Sequence, residues 1–471
     1  MQEASFAARP TIRPPYPLRR DSPAYQGKIG DLIKVIAPHT EACPEAILTG
    51  LLTGIGNILG NNIKINAGRL QKPNLYSVII GRSSQSRKGT AISIAEKLLA
   101  YIDPDWHENC VDSGLYSGEG LLLSMRDDRF DNEGNLLEKG VDDKRRLYIE
   151  EEFSDVLTLF KGKTSILSGI IRKGFDSIPL RQNVKNYPLK VREPHLSIMG
   201  AITLGELKAT LSARDLSSGM VNRIAWIHAY RSKPDKPRAK EPIPNEMGVL
   251  SIFNVHNSDS ENHIYIPLDK YLDPIKNAIE SELKRPRVIE FNAEAQEYWD
   301  TVIVPKYGKD LPETPLTQAT DRANAIIPRV ALIYAVVAQS EKIRLVDLKS
   351  GEAFWKYAEQ TAVTIWGQTL GNRTADDILN LIYSTSYAVS LTEISNFFNR
   401  NKSREDITEA LNLLIAFELV MESKKSTNGR EATLYEPFLK EDEAEHPEEN
   451  PISSISSNSY SSDGEHISKL L

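Results

Sequence analysis

One stretch constrains this chain more than any other: Tyr76 to Thr90, YSVIIGRSSQSRKGT. The apolar run Val78-Ile79-Ile80 predicts a strand ending at Gly81, and a loop of small and hydroxyl residues follows. Arg87 and Lys88 come next, and Gly89 and Thr90 open a predicted helix through Ala100. Strand, small-residue loop, lysine, hydroxyl, helix is the order of a phosphate-binding loop. Backbone N–H groups and a helix N-terminus attract phosphate oxygens there, and the lysine adds a point charge. The spelling departs from the common G-x-x-x-x-G-K-[ST]. Aligned on Lys88, Arg87 stands where the second glycine belongs and Gly89 where the Mg²⁺-binding hydroxyl belongs. Thr90 is one place late and Gly81 one place early. On this reading Gly81, Ser86, Arg87, Lys88, Gly89 and Thr90 cradle the nucleotide. The competing reading is a strand-to-helix surface loop whose Arg-Lys pair is solvated.

The chain has 471 residues, which at about 150 residues per domain predicts roughly three domains. Its formal net charge of −7 resides in the tail, where eight acidic residues between Glu441 and Glu465 face Lys469 alone. The body, Met1 to Lys440, is thereby neutral, and the acidic balance does not argue against nucleic-acid binding. Two cysteines, Cys43 and Cys110, give neither a disulfide framework nor metal-ligand spacing and fit a reducing, cytoplasmic setting. The N-terminus lacks a signal-peptide apolar region. The apolar stretch Ala46–Gly60 is too short for a membrane span and contains Asn57. Its glycines, Gly54, Gly56 and Gly60, have the wrong spacing for a dinucleotide fingerprint, so it reads as a tightly packed core helix and no membrane partner is expected.

Composition divides the chain into an extended Pro/Arg-rich arm (1–26), a helical region (27–74), an α/β core (75–232), a Pro-rich charged linker (233–260), a mainly helical region (261–371), a small module (372–438) and a disordered acidic, Ser-rich tail (439–471). Residues 127–144 read as a loop or insertion. In the core, Leu147-Tyr148-Ile149 ends in Glu150, Glu151 and Glu152; a second strand, His195–Gly200, ends at Thr203; a third spans Arg223–Tyr230. Strands alternating with helices predict an α/β sheet with its chemistry at the strands' C-terminal ends. Helices are predicted at Asn292–Tyr307, Thr317–Gln339 and Gly351–Gly367. The module shows a helix from Thr374, a capping box Ser390–Glu393, a helix Arg404–Phe417 capped by Ser403, and two strands around Asn428-Gly429. Three helices and a hairpin form a winged helix-turn-helix pattern. Arg400, Lys402 and Arg404 at its third helix and Lys424, Lys425 and Arg430 in its wing are candidate DNA contacts; protein docking is the alternative.

A nucleoside triphosphatase needs a Mg²⁺ shell, a carboxylate that orients water and a cation for the transition state. Glu150 is the candidate on the Mg²⁺ side, with Thr90, and Glu151 the candidate that positions water. The alternative for these acids, and the assignment for Glu152, is a helix first turn favoured by the macrodipole. Glu119, after Ser117-Gly118, competes as base, or it stabilises a helix start. Thr203 is a γ-phosphate sensor or an N-cap. Arg223 is an arginine finger or one half of a structural ion pair.

The chain resembles a family of helicase-like P-loop proteins of phages, plasmids and integrated elements, known as a domain of unknown function. The matching residues are Pro38-His39-Thr40-Glu41, VIIGRSSQSRKGT, SGEGLLLSMRD, RRLYIEEEF, HLSIMGAIT, GMVNRIAWIHAYRS, RANAIIPRVALIYAVV and the C-terminal module, in order from Ala24 to Pro437. The RKGT loop is a trait of that family. The resemblance implies a RecA-like core related to hexameric replicative helicases, with flanking helical regions and a C-terminal winged helix. It implies ATP and Mg²⁺ as cofactors and single-stranded or replication-fork DNA, a homo-oligomeric ring and a primase or other replication protein as partners. Lys88, Thr90, Glu150, Glu151 and Arg223 carry function on this resemblance. The expected activity is an ATP-dependent, DNA-associated motor of a mobile element. The alternatives are a non-hydrolysing, nucleotide-switched DNA-binding protein and an anti-phage NTPase.

Overall fold

Five parallel strands form the centre of the molecule in the computed structural model, which describes residues 14–161, 165–182, 188–211, 218–232, 268–367, 372–385, 387–426 and 431–438. The first part of the arm, the expected linker at 233–260, the tail, the Asn428-Gly429 turn and Arg430 lie outside the described residues, as does the side chain of Lys425. The strands are β1 (Tyr76–Ile80), β2 (Val111–Asp112), β3 (Arg145–Glu150), β4 (His195–Ile202) and β5 (Ile224–His228). They lie in the order β5-β1-β4-β3-β2. Every residue of β1 and of β4 is buried, as expected of parallel strands covered on both faces. Register sets the ends: Ile202 of β4 pairs with Ile80 of β1, and Gly200 with Glu150 of β3. The loop after β1, the carboxylates after β3 and Thr203 after β4 therefore share one edge of the sheet.

The Pro44–Leu59 helix, with fifteen residues buried, packs beneath this sheet. Pro44 starts it where a missing N–H does no harm. It meets the Lys88–Ile102 helix at close range. A Cβ on Gly50 would stand 2.5 Å from the Ala95 methyl, and one on Gly54 would stand 2.1 Å from Leu99 Cδ1. Glycines one turn apart thus let two helices approach at the level of the backbone. Asn57, buried in the same helix, is satisfied. Its Nδ2 donates to the Arg146 carbonyl at 2.9 Å, and its Oδ1 accepts from the Trp106 indole at 2.9 Å.

The region 268–367 is mainly helical, with one strand, Arg287–Ile289, paired in parallel with Ile63–Asn66, and it packs on the core. The Ala323–Val337 helix is buried nearly throughout and lies against Leu345–Trp366. The expected single helix over 317–339 is instead two, Pro315–Thr320 and Ala323–Val337, broken at Asp321-Arg322. The helix expected over 292–307 contains a π turn, Trp299–Ile303, just before Pro305, whose ring nitrogen has no N–H to give the α ladder. The described end of the arm is docked, with Leu18 N–H donating to Glu45 Oε1 at 2.7 Å and Tyr25 buried. The 127–144 segment carries a short hairpin, Arg129–Phe130 with Leu136–Glu138.

The last region has helices Arg373–Ser384, Leu391–Phe397 and Arg404–Ala416 and a three-stranded antiparallel sheet of Val389–Ser390, Glu431–Pro437 and Val420–Ser426, in that spatial order. Ser390 with Glu393, and Ser403 with Asp406, form reciprocal capping boxes. The chain is a mixed α/β protein with a parallel five-stranded sheet. Among the described residues no helix is long and apolar enough to cross a membrane.

Candidate nucleotide site

The loop after β1 is anchored at both ends. Gly81 N–H donates to Ile202 O at 3.3 Å. A Cβ at Gly81 would sit 2.3 Å from Ser86 Oγ, so the small residue lets the buried Ser86 fold back and donate to Arg82 O at 2.8 Å. Two non-glycine residues of the loop are left-handed, Ser84 (φ 52°) and Arg87 (φ 56°, ψ 32°). Glycine adopts this backbone shape freely. For an L-residue this costs roughly 1–2 kcal/mol.

Arg87 is the N-cap of the Lys88–Ile102 helix and gives it no side-chain cap. The first intrahelical bond runs from Ala91 N to Arg87 O at 3.0 Å, so the N–H groups of Lys88, Gly89 and Thr90 have no intrahelical acceptor. A helix start of this kind behind a left-handed residue is suited to an anion. Lys88 Nζ lies across the loop and donates to Gly81 O at 3.0 Å and Arg82 O at 3.4 Å. Partial burial lowers its pKa, while Glu206 and Glu152 nearby hold the charge on. Thr90 is exposed on the first turn.

The carboxylates after β3 divide sharply. Glu150 is buried, and its Oε1 accepts from Leu115 N at 2.6 Å. Burial raises its pKa, and the backbone N–H bonds of Leu115 and Gly114 oppose the rise. Glu151 is exposed and faces the helix start: a Cβ on Gly89 would lie 3.9 Å from each of its carboxylate oxygens. Glu152 is the N-cap of the Phe153–Phe160 helix but makes no side-chain cap bond. The three acids border a cleft of about 730 Å³ that also includes Glu96, Asp112 and Asp155. Among the described residues no three His, Cys, Asp or Glu groups converge as a metal site. One or two carboxylates beside a phosphate cradle is the donor set that Mg²⁺ uses with nucleotides.

The other expected residues have partners of their own or stand in solvent. Thr203 Oγ1 accepts from Glu206 N, and the Glu206 carboxylate accepts from Thr203 N, a reciprocal N-cap. Glu119 is exposed in the first turn of the Gly118–Leu123 helix, behind the cap Ser117. Arg223, 9% exposed, puts Nη2 2.6 Å from Asp176 Oδ2 and lies over the Phe175 ring. Arg322 and Arg69 share the same carboxylate, so Arg223 is engaged inside its own chain as a structural ion pair. Arg400, Lys402, Arg404 and Lys424 are exposed on the 372–438 region, far along the chain from the loop.

Sequence reasoning missed Glu41 as a part of the site. Its Oε2 accepts from Arg87 Nε at 2.9 Å and pairs with Nη2 at 2.7 Å, and its Oε1 pairs with Arg231 Nη2 at 2.6 Å. The only signal was its place in the Pro38–Glu41 match.

No family model matches the sequence, and no curated protein matches it. Among solved structures, a putative ATPase from Cytophaga hutchinsonii is similar at 13% identity and a TM-score of 0.33, over 69% of this chain and 86% of that one. A likeness that weak does not establish a common fold.

Proposed function

We propose that this chain is a P-loop nucleoside triphosphatase, with ATP as substrate and Mg²⁺ as its partner ion. The observation that carries the reading is the uncapped helix start behind a left-handed Arg87, with Lys88 folded over the loop and Glu151 set beside Gly89. Free N–H groups of Gly89 and Thr90 would take phosphate oxygens, and Lys88 would move from its carbonyl partners to the β- and γ-phosphates. Thr90 and an exposed carboxylate of the strand end would hold Mg²⁺, which shields phosphate charge when bound. Glu151 orients the water whose oxygen bonds to the γ-phosphorus as the bond to the bridging oxygen breaks, releasing ADP and phosphate. Glu150 fixes the 114–115 backbone against the strand end.

The order β5-β1-β4-β3-β2, with one strand between the loop strand and the carboxylate strand, supports a RecA-like core. Three helices beside an antiparallel sheet support a winged helix at 372–438, and with it a DNA-associated motor. The ring, the mobile-element setting and the replication partner rest on the sequence resemblance. ATP hydrolysis by the full chain, with and without single-stranded DNA, tests the reading. Lys88→Ala should lose at least about a hundredfold in turnover, the scale of removing one electrostatic stabiliser of a transition state. Equal hydrolysis by Lys88→Ala and wild type would refute it.

A further inference from the structure

We infer that Glu41 is a positioning residue for the nucleotide loop: its carboxylate holds Arg87 in the left-handed conformation on which the phosphate cradle depends. The inference rests on the nucleotide reading above and assigns a role to a residue 46 positions before the loop residue it controls.

Three strands of argument meet at this carboxylate. The first is backbone shape. Arg87 is left-handed and leads directly into the right-handed helix that starts at Lys88, a change of hand that turns successive N–H groups toward one point. Glycine adopts that shape freely and arginine does not. The second is geometry. Both Nε and Nη2 of Arg87 converge on Oε2 of Glu41, and the Glu41 side chain is 15% exposed while that of Arg87 is 35% exposed. A covered ion pair of this kind restrains a side chain more than a solvated one does. The third is that Glu41 is itself fixed. Arg231 occupies its other oxygen, Ala42 bridges Arg231, and Ser232 N donates to Glu41 O at 2.9 Å. The loop is thus braced against the chain leaving β5 and against the segment that enters the Pro44–Leu59 helix. In this chain an external carboxylate and a long side chain hold a backbone shape that glycine adopts freely.

The test is a double-mutant cycle on the dissociation constant of ATP with Mg²⁺, measured by calorimetry on the full chain. Glu41→Ala should weaken binding about tenfold in the wild-type background, within the range of contacting pairs. Arg87→Gly should still bind, because glycine holds the left-handed shape unaided, and adding Glu41→Ala to it should cost less than about twofold, the size expected of an uncoupled change. Equal losses in both backgrounds would overturn the inference, since Glu41 would then support the fold generally. Abolished binding in Arg87→Gly would also overturn it, because the guanidinium itself would be the ligand. Glu41→Gln, which keeps the shape and loses the charge, serves in the same cycle if Glu41→Ala fails to fold. Failure of the underlying reading looks different: wild type and Lys88→Ala would both show no binding.

Discussion

The loop edge of the parallel sheet and the 372–438 region are both rich in charge, yet they hold it in opposite ways. At the sheet edge most groups are tied down, with the exposed Glu151 and Glu152 as exceptions. Lys88 lies on two carbonyls, Arg87 on Glu41, and Glu150 on the Leu115 N–H. In the C-terminal region Lys402 and Arg404 stand in solvent at the start of a helix, and Arg400 reaches only a 3.4 Å contact with Asn396. Charges that give up water for fixed partners lose entropy and hydration, so a fold retains them only where their position matters. Solvated charges cost nothing to keep and say little. The contrast ranks the two regions as evidence: the sheet edge is a built site, and the basic helix start is a surface whose role must be measured.

The largest effect that can break this ranking lies within the carboxylates themselves. Glu151→Gln should retain ATP binding and lose about a hundredfold in single-turnover hydrolysis, the lower range for a group that acts on the attacking water. Glu150→Gln keeps an oxygen to accept from Leu115 N, so it should fold and lose far less. If the two exchange places, the buried residue is the reactive one, and exposure beside Gly89 is no guide to function.

Much of this site was legible in the sequence, and its limits are physical. The ends of β1, β3 and β4, the start at Pro44, the capping box at Ser390 and the N-cap at Ser403 all follow from local chemistry, which one sequence window contains. The order of the sheet does not. β1, β3 and β4 are apolar runs of the same kind, and nothing in their composition says that β4 lies between the other two. The two-residue β2 is too short to carry a period. Long-range partners were hidden for the same reason. Asp176 collects Arg69, Arg223 and Arg322 from three segments, so the ion-pair alternative for Arg223 had no visible partner. Arg329 sits in an apolar helix, where its pattern marks it only as an interruption. Folded, it is 2% exposed and donates to Asn74 O at 2.8 Å and Phe175 O at 3.1 Å.

A smaller effect separates the regions by pH. Burial pulls the imidazole pKa of His195, in β4, down to about 3 and that of His228, at the end of β5, down to about 4. The unfolded values lie near 6.5. Between 6.5 and the folded values the unfolded chain binds protons that the folded chain refuses, so stability falls as pH falls. The contribution is whole above pH 6.5 and is lost progressively toward the folded values. The 372–438 region contains no histidine. From pH 7 to 5 the amides of the parallel sheet should therefore lose hydrogen-exchange protection, while those of the C-terminal region keep theirs, and His228→Gln should reduce the loss in the sheet. A uniform loss over both regions would show that they unfold as one unit.

The smallest effect expected is from the exposed cations, and it decides what the C-terminal surface does. Removing Lys402 and Arg404 together should leave thermal stability within about 0.5 kcal/mol, as for surface changes away from caps and cores. Asp406, not Arg404, supplies the cap to Ser403. If the region touches a DNA backbone, each lost phosphate contact should reduce the slope of log affinity against log salt by about 0.9. The pair would then lower the slope by nearly two, weakening all sequences alike. An unchanged slope would leave these residues as a solvated face, and the contrast with the sheet edge would be complete. A loss confined to one DNA sequence would instead mean that the helix start reads bases, since a contact to phosphate alone carries no sequence preference.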